Sequence, residues 1–279
     1  MVAVGKYNRL TVARSSEFGL LLDDGRDGTI LLPRRLVPRD RELKPGDELD
    51  VFLYHDSEDR LTATTQTPKV QVGQFASLKV VDINRTGVFL DWGLDKDLLL
   101  PHSEEQKPLQ VGDYVVVHVF RDDRRGRITA SAKIERYLDK TPVKYSTGDE
   151  VDLLPVSGTD LGVKAIINHA HWGLLHKSEL NRFIPMGKPL RGYIREVRRD
   201  GKISLSLDPV GQQAVGNLAE QILHKLEQEG GVMMLSDKSP PEVIQRVFGA
   251  SKGSFKKAIG ALYKQGKIVI EADRIALSK

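Results

Sequence analysis

The sequence predicts a mainly β protein with an α+β C-terminal domain: three small five-stranded barrels in tandem, then a compact helical unit. Three observations predict this. Segments of the first 211 residues repeat one another. Within them apolar residues alternate with polar ones, the period of a strand with one wet face. After Pro209 the period changes to three and four, that of an amphipathic helix.

The repeat is plainest in its closing half, which reads KPGDELDVFLYHDSEDRLTATTQ (44–66), QVGDYVVVHVFRDDRRGRITASAK (110–133) and PMGKPLRGYIREVRRDGKISLSLD (185–208). Each is a Gly turn, an alternating strand, a charged turn and a second alternating strand, which predicts a hairpin. The opening halves, Tyr7 to Pro33, Gly73 to Pro101 and Gly148 to His176, also correspond. Each turns at Gly19, Gly87 or Gly162, runs on as GLLLDD, GVFLDW or GVKAII, and ends in a third strand, TILLP, DLLLP or WGLLH. Five short strands in about 65 residues, with no long helix, predict a small barrel, because closure leaves no sheet edge exposed. The oligonucleotide-binding (OB) fold is the five-stranded barrel of that size. The expected units are 1–68, 69–139 and 140–211.

Residues 212–279 form the fourth unit. NLAEQILHKLEQEGG (217–231) places Leu218, Ile222, Leu223 and Leu226 on one stripe and stops at a Gly pair. SPPEVIQRVFG (239–249) has a Ser N-cap, Pro in its first turn and a Gly stop. SKGSFKKAIGALYKQG (251–266) turns Phe255, Ile259, Leu262 and Tyr263 inward and leaves Lys252, Lys256, Lys257 and Lys264 elsewhere. KIVIEADRIALS (267–278) reads as a hairpin turning near Ala272 and Asp273. Three helices and a hairpin describe a winged helix.

Composition narrows the function. With no cysteine among 279 residues, disulfides, zinc fingers and cysteine nucleophiles are excluded. No apolar run is long enough for a membrane span and no leader pattern opens the chain, so a cytoplasmic protein with no membrane partner is expected. Lys and Arg less Asp and Glu comes to 10 − 12 = −2 over 1–68, 11 − 11 = 0 over 69–139, 11 − 8 = +3 over 140–211 and 10 − 7 = +3 over 212–279. The basic half is the C-terminal one, which suits a polyanion partner.

VGQFASLKVVDINRTGVFLDWG (72–93) with DDRRGRITASAK resembles the RNA-binding repeat of ribosomal protein S-one, as does WGLLHKSEL with VRRDGKISLSLD. The second repeat keeps Gly87, Phe89, Ser103, Asp123, Gly126, Arg127 and Ile128 of that pattern. The third keeps Gly162, His176, Ser178, Gly201, Lys202, Ile203 and Ser206. The first keeps only Phe18, Gly19, Asp56, Arg60 and Leu61. The stacking His of the pattern is Pro33 and Pro101 in the first two repeats and His176 in the third. The aromatic before the turn Gly is Phe18, then Thr86 and Leu161; the one after it is Leu21, Phe89 and Lys164. No barrel carries a whole stacking platform, so each should bind weakly and affinity should come from joint engagement. Three such barrels and a winged helix, in that order, resemble the bacterial conserved virulence factor B family. That resemblance implies an RNA-binding protein affecting virulence-factor expression in a pathogenic host.

The expected partner is single-stranded RNA, with the ribosome or RNA polymerase as protein partners. Phe18, Phe89, Trp172 and His176 are the candidates for base stacking. Arg124, Arg125, Arg127, Arg198, Arg199 and Lys202, on the closing hairpins, are the candidates for phosphate contact, with Lys164, Lys252, Lys256 and Lys257. In the resemblance, Arg127 and Lys202 flank the aromatic face; as charged turns they are also ordinary solvated positions. Trp92 shares the parity of Leu90 and reads as structural. His169, His171 and His176 lack an interleaved carboxylate at ligand spacing, so neither metal nor cofactor is expected. No phosphate-cradling loop, HExxH or nucleophile elbow is present, so no catalysis and no small-molecule substrate are expected. Two alternatives stand beside this reading. One is a DNA-binding transcription regulator working through the winged helix, although its third helix lacks a cluster of base-reading side chains. The other is an interaction scaffold, which the acidic first repeat favours.

Overall fold

The computed structural model describes residues 2–26, 28–39, 42–122, 126–177, 180 and 183–278, and in residues 211–214 the backbone alone. The first barrel comprises β1 (Tyr7–Ser16), β2 (Gly19–Asp23), β3 (Thr29–Pro33), β4 (Glu48–His55) and β5 (Leu61–Thr64). They close in the order β1-β2-β3-β5-β4, β1 pairing with β4 and β3 running parallel to β5. The second has β6 (Phe75–Asn84), β7 (Gly87–Asp91), β8 (Leu98–Pro101), β9 (Tyr114–Arg121) and β10 (Ile128–Ser131) in the equivalent order. It stops short of closure: β8 and β10 lie side by side, and the sheet they end is open. The third, β11 (Glu150–Thr159), β12 (Gly162–Ile167), β13 (His171–His176), β14 (Leu190–Val197) and β15 (Ile203–Ser206), closes like the first.

The turn glycines of the repeat have a steric reason. Gly19, Gly87 and Gly162 have φ of 146°, 156° and 150°, and a Cβ on any of them would overlap a carbonyl oxygen of the facing strand, that of Leu32, Leu100 or Leu175. Only glycine lets the second and third strands approach this closely at that φ.

The fourth strands of the first two barrels break the expected alternation. In β4, Val51 and Leu53 fill the first barrel, but Phe52 and Tyr54 on the opposite face are also buried, in a cluster with Trp92, Val70 and the second barrel's core. In β9, Val117 and Val119 point inward, while His118 on the outer face is buried against Phe75 and Tyr137. Phe75, Ile134 and Leu138 then join Leu154 and Ile166 of the third barrel. The barrels therefore dock in series, the first and the second each burying the outer face of its fourth strand in the junction with the next. Polar groups reinforce the docking: the Val72 N–H donates to the Gly5 carbonyl at 2.9 Å, and the Asp139 N–H to the Ala170 carbonyl at 2.9 Å.

The C-terminal unit has α1 (Gly211–Gln228), β16 (Val232–Met233), α2 (Pro241–Phe248), α3 (Lys252–Lys264), β17 (Ile268–Ile270) and β18 (Ile275–Leu277). Its core joins Leu218, Ile222 and Leu226 to Ile244, Phe255, Ile259 and Leu262. The Ser251 hydroxyl caps α3 by accepting the Ser254 N–H at 3.1 Å, which satisfies a donor that the first turn leaves free. Three details differ from the sequence reading. α1 begins at Gly211 rather than 217, since GQQAVG carries no apolar stripe to announce it. The two-residue strand β16 is too short to leave a periodic signal. Tyr263, expected inward, is 58% exposed, because Phe255, Ile259 and Leu262 already fill the buried stripe of α3.

Candidate nucleic-acid interface

Four of the aromatic and basic candidates, Phe89, Arg127, Lys164 and Trp172, lie at the two junctions between barrels. At the first, a cleft of about 410 Å³ is bordered by Phe89, Trp92, Lys96 and Arg127 of the second barrel and by Tyr54 and Asp59 of the first. Phe89 stands on β7 between Val88 and Leu90, which are buried in the core, and so faces outward, half-buried, opposite Leu99 of β8. Trp92 is structural as expected, but it packs edge-on against Phe52 of the first barrel, ring centroids 5.8 Å apart, and its indole N–H donates to the Lys96 carbonyl at 2.6 Å. The Lys96 ammonium reaches back to the Asp56 carbonyl at 2.6 Å; partial burial lowers its pKa. Arg127 binds Asp59 across the junction, Nη2 to Oδ2 at 2.7 Å, and that contact holds the Asp59 carboxyl below its usual range. Arg127 is thus poised at the cleft but already engaged with a carboxylate.

At the second junction a cleft of about 370 Å³ brings Lys164 and Trp172 of the third barrel to Lys107, Tyr114, Gln106 and Glu135 of the second barrel and its connection. The Lys164 ammonium lies 3.8 Å from the Trp172 ring centroid, a cation–π contact. Tyr114 is 71% exposed at the rim. Gln106 donates its amide to Glu135 Oε2 at 2.9 Å.

The three histidines near Trp172 serve packing and hydrogen bonding. His169 accepts the Phe75 N–H on Nδ1 at 3.0 Å, across the junction. His171 donates from Nε2 to the Thr141 carbonyl at 2.8 Å, leaving Nδ1 to accept from the Tyr145 hydroxyl at 3.1 Å. His176 stands half-buried at the end of β13, its Nε2 3.4 Å from the Ser204 hydroxyl.

Comparison with known proteins agrees with this architecture. Residues 4–66 and 72–133 match the S1 domain family, and residues 220–277 match the CvfB-like winged helix domain. The chain belongs to the conserved virulence factor B family. Conserved virulence factor B of Staphylococcus haemolyticus (strain JCSC1435) is 31% identical, the alignment covering 99% of this chain and 95% of that protein. The uncharacterized protein YitL of Bacillus subtilis (strain 168) is 34% identical, covering 96% and 91%. A solved multidomain protein with nucleic acid binding domains from Streptococcus pneumoniae TIGR4 is 26% identical over 98% of either chain, with a TM-score of 0.41. The two S1 domains support a nucleic-acid-binding role for this family member. No helix among the described residues is long and apolar enough to cross a membrane.

The other candidates of this conserved virulence factor B homologue are spread over the molecule. Phe18 is 68% exposed in the turn between β1 and β2. Arg198 and Lys202 both approach Asp200, at 3.6 and 3.3 Å, and Arg199 is exposed on the same turn. On α3, Lys256 and Lys257 are exposed, Lys256 lying 3.6 Å from Asp237, while Lys252 donates to the Lys238 carbonyl at 3.3 Å. Arg124 and Arg125 lie outside the described residues. Sequence reasoning missed Tyr114, Lys107 and the Gln106–Glu135 pair. A signal for the junction they line is the lack of alternation in VVVHVF, because a strand apolar on both faces has a partner on both.

Proposed function

We propose that this chain binds single-stranded RNA without catalysing a reaction, its units at 1–68, 69–139, 140–211 and 212–279 engaging one strand jointly, and that it regulates gene expression after transcription in the cytoplasm. In a pathogenic host the regulated products would include virulence factors, with ribosome or RNA polymerase as the protein partner. The observation that carries the reading is Phe89: an aromatic on the outward side of a barrel strand, in a cleft shared with Arg127, offers a base a stacking surface and its phosphate a cation. The missing catalytic motifs support a binding role. Anisotropy titrations of the full chain with single-stranded RNA, single-stranded DNA and duplexes test it. Single-stranded RNA should bind tightest, and Phe89→Ala or His176→Ala should each cost on the order of 1 kcal/mol or more. Tighter binding to duplex DNA, or a double variant of unchanged affinity, would overturn it.

One observation favours a protein contact for the winged helix. On its small sheet, Val232, Ala276 and Val269 line up in register on the face away from the core, and Val232 and Val269 are 41% and 44% exposed. A wing built for phosphate would carry cations there. A protein partner that co-purifies after nuclease treatment and is lost on Val269→Glu would establish this contact.

A further inference from the structure

We propose that the cleft between the second and third barrels is a nucleotide-binding site that exists only while those barrels are docked. Its occupant is one nucleotide of a bound strand, so the inference rests on the RNA-binding reading. The two barrels supply complementary halves. The third barrel brings the half-buried Trp172 ring with the Lys164 ammonium over it; the second brings Tyr114, Lys107 and the Gln106–Glu135 pair. Each group has a use for a nucleotide. Two aromatic side chains, one half-buried and one exposed at the rim, give the π surfaces on which any base stacks. Two lysines give the charge a phosphate needs, and a phosphate is a stronger partner for the Lys164 ammonium than the indole face it now covers. The Gln106 amide, held by Glu135, leaves its carbonyl oxygen to accept from a base edge. The cleft measures about 370 Å³. That is the low end of ligand-pocket volumes, roughly 300–1,000 Å³, and suits one nucleotide rather than several.

Docking makes this site, and so occupancy must strengthen docking by linkage: a ligand that binds only the docked arrangement stabilises it. Phe75, Ile134 and Leu138 meeting Leu154 and Ile166, together with the His169 acceptor for the Phe75 N–H, are the contacts that hold the halves in register.

The chain has two tryptophans; Trp92, 3% exposed, borders the first cleft, so the part of any ligand-induced quenching that disappears in Trp172→Phe is the part that reports the second cleft. The full-length protein would be titrated with a uridylate 12-mer and, separately, with uridine monophosphate, with anisotropy of a labelled 12-mer followed in parallel. The expected result is quenching by the 12-mer, loss of that quenching in Trp172→Phe, and an affinity about tenfold weaker in Tyr114→Ala, from the loss of one stacked base. Because Tyr114 is 71% exposed, its removal leaves the fold intact. Quenching by the monophosphate as well would support the site and show that a single nucleotide suffices. Quenching by the monophosphate alone would overturn its assignment to a strand. Binding by anisotropy with no quenching and unchanged affinity in Tyr114→Ala would overturn the site and leave the RNA-binding reading standing; no binding by anisotropy would overturn that reading and the inference with it.

Discussion

His118 faces out of its own barrel yet is only 8% exposed, stacked 3.9 Å from the Tyr137 ring. Burial pushes its pKa down to about 4. An unfolded histidine takes up its proton near pH 6.5, so between 6.5 and 4 the unfolded chain binds more protons than the folded one, and stability falls as pH drops through that window. The contribution is on the order of 3 kcal/mol at its limit. Urea midpoints at pH 7 and pH 4.5 check it: wild type should fall steeply and His118→Phe less so. Arg127 makes a different case. Its pair with Asp59 crosses a junction but is exposed on both sides, 51% and 44%, and exposed pairs add little to stability. Arg127→Ala should therefore leave the thermal midpoint nearly unchanged, weaken RNA binding severalfold and flatten its salt dependence. A large drop in melting temperature with unchanged RNA affinity would make Arg127 a structural residue only.

Among the elements, the turn glycines and the fourth strands decide most. Gly87→Ala puts a methyl group onto the Leu100 carbonyl at a φ of 156°. The second barrel should then lose on the order of 2 kcal/mol, read as a lower denaturant midpoint. Phe52→Ala acts at a distance from its own barrel's core. The side chain is fully buried between Tyr7 and Trp92. Its loss should cost about 3–5 kcal/mol and loosen the first junction, visible as faster amide exchange in the Trp92 loop. The hairpins were legible in the sequence because alternation and turn chemistry are local. The open edge between β8 and β10 was not: nothing in LLLP or ITAS distinguishes them from their counterparts in the two closed barrels.

For the molecule as a whole, the proposed function makes binding a joint property of the barrels, given the charge gradient and the divided aromatic set. If Arg127, Lys164 and Lys202 each neutralise one phosphate, the logarithm of RNA affinity against that of salt concentration should have a slope of about −2. A slope near zero would remove the phosphate contacts from the account. The sequence by itself determined the number and order of the units, the five strands of each barrel and the turn glycines Gly19, Gly87 and Gly162, because each of these depends on periodicity and φ within a few residues. It also marked Phe89 as outward-facing, by parity alone. Only the tertiary structure decided where the aromatic and basic side chains meet: Phe89 with Arg127 at one junction, Lys164 with Trp172 and Tyr114 at the next. Their meeting depends on rigid-body docking through Phe52, His118 and Phe75, and the angle between packed bodies leaves no period in a sequence.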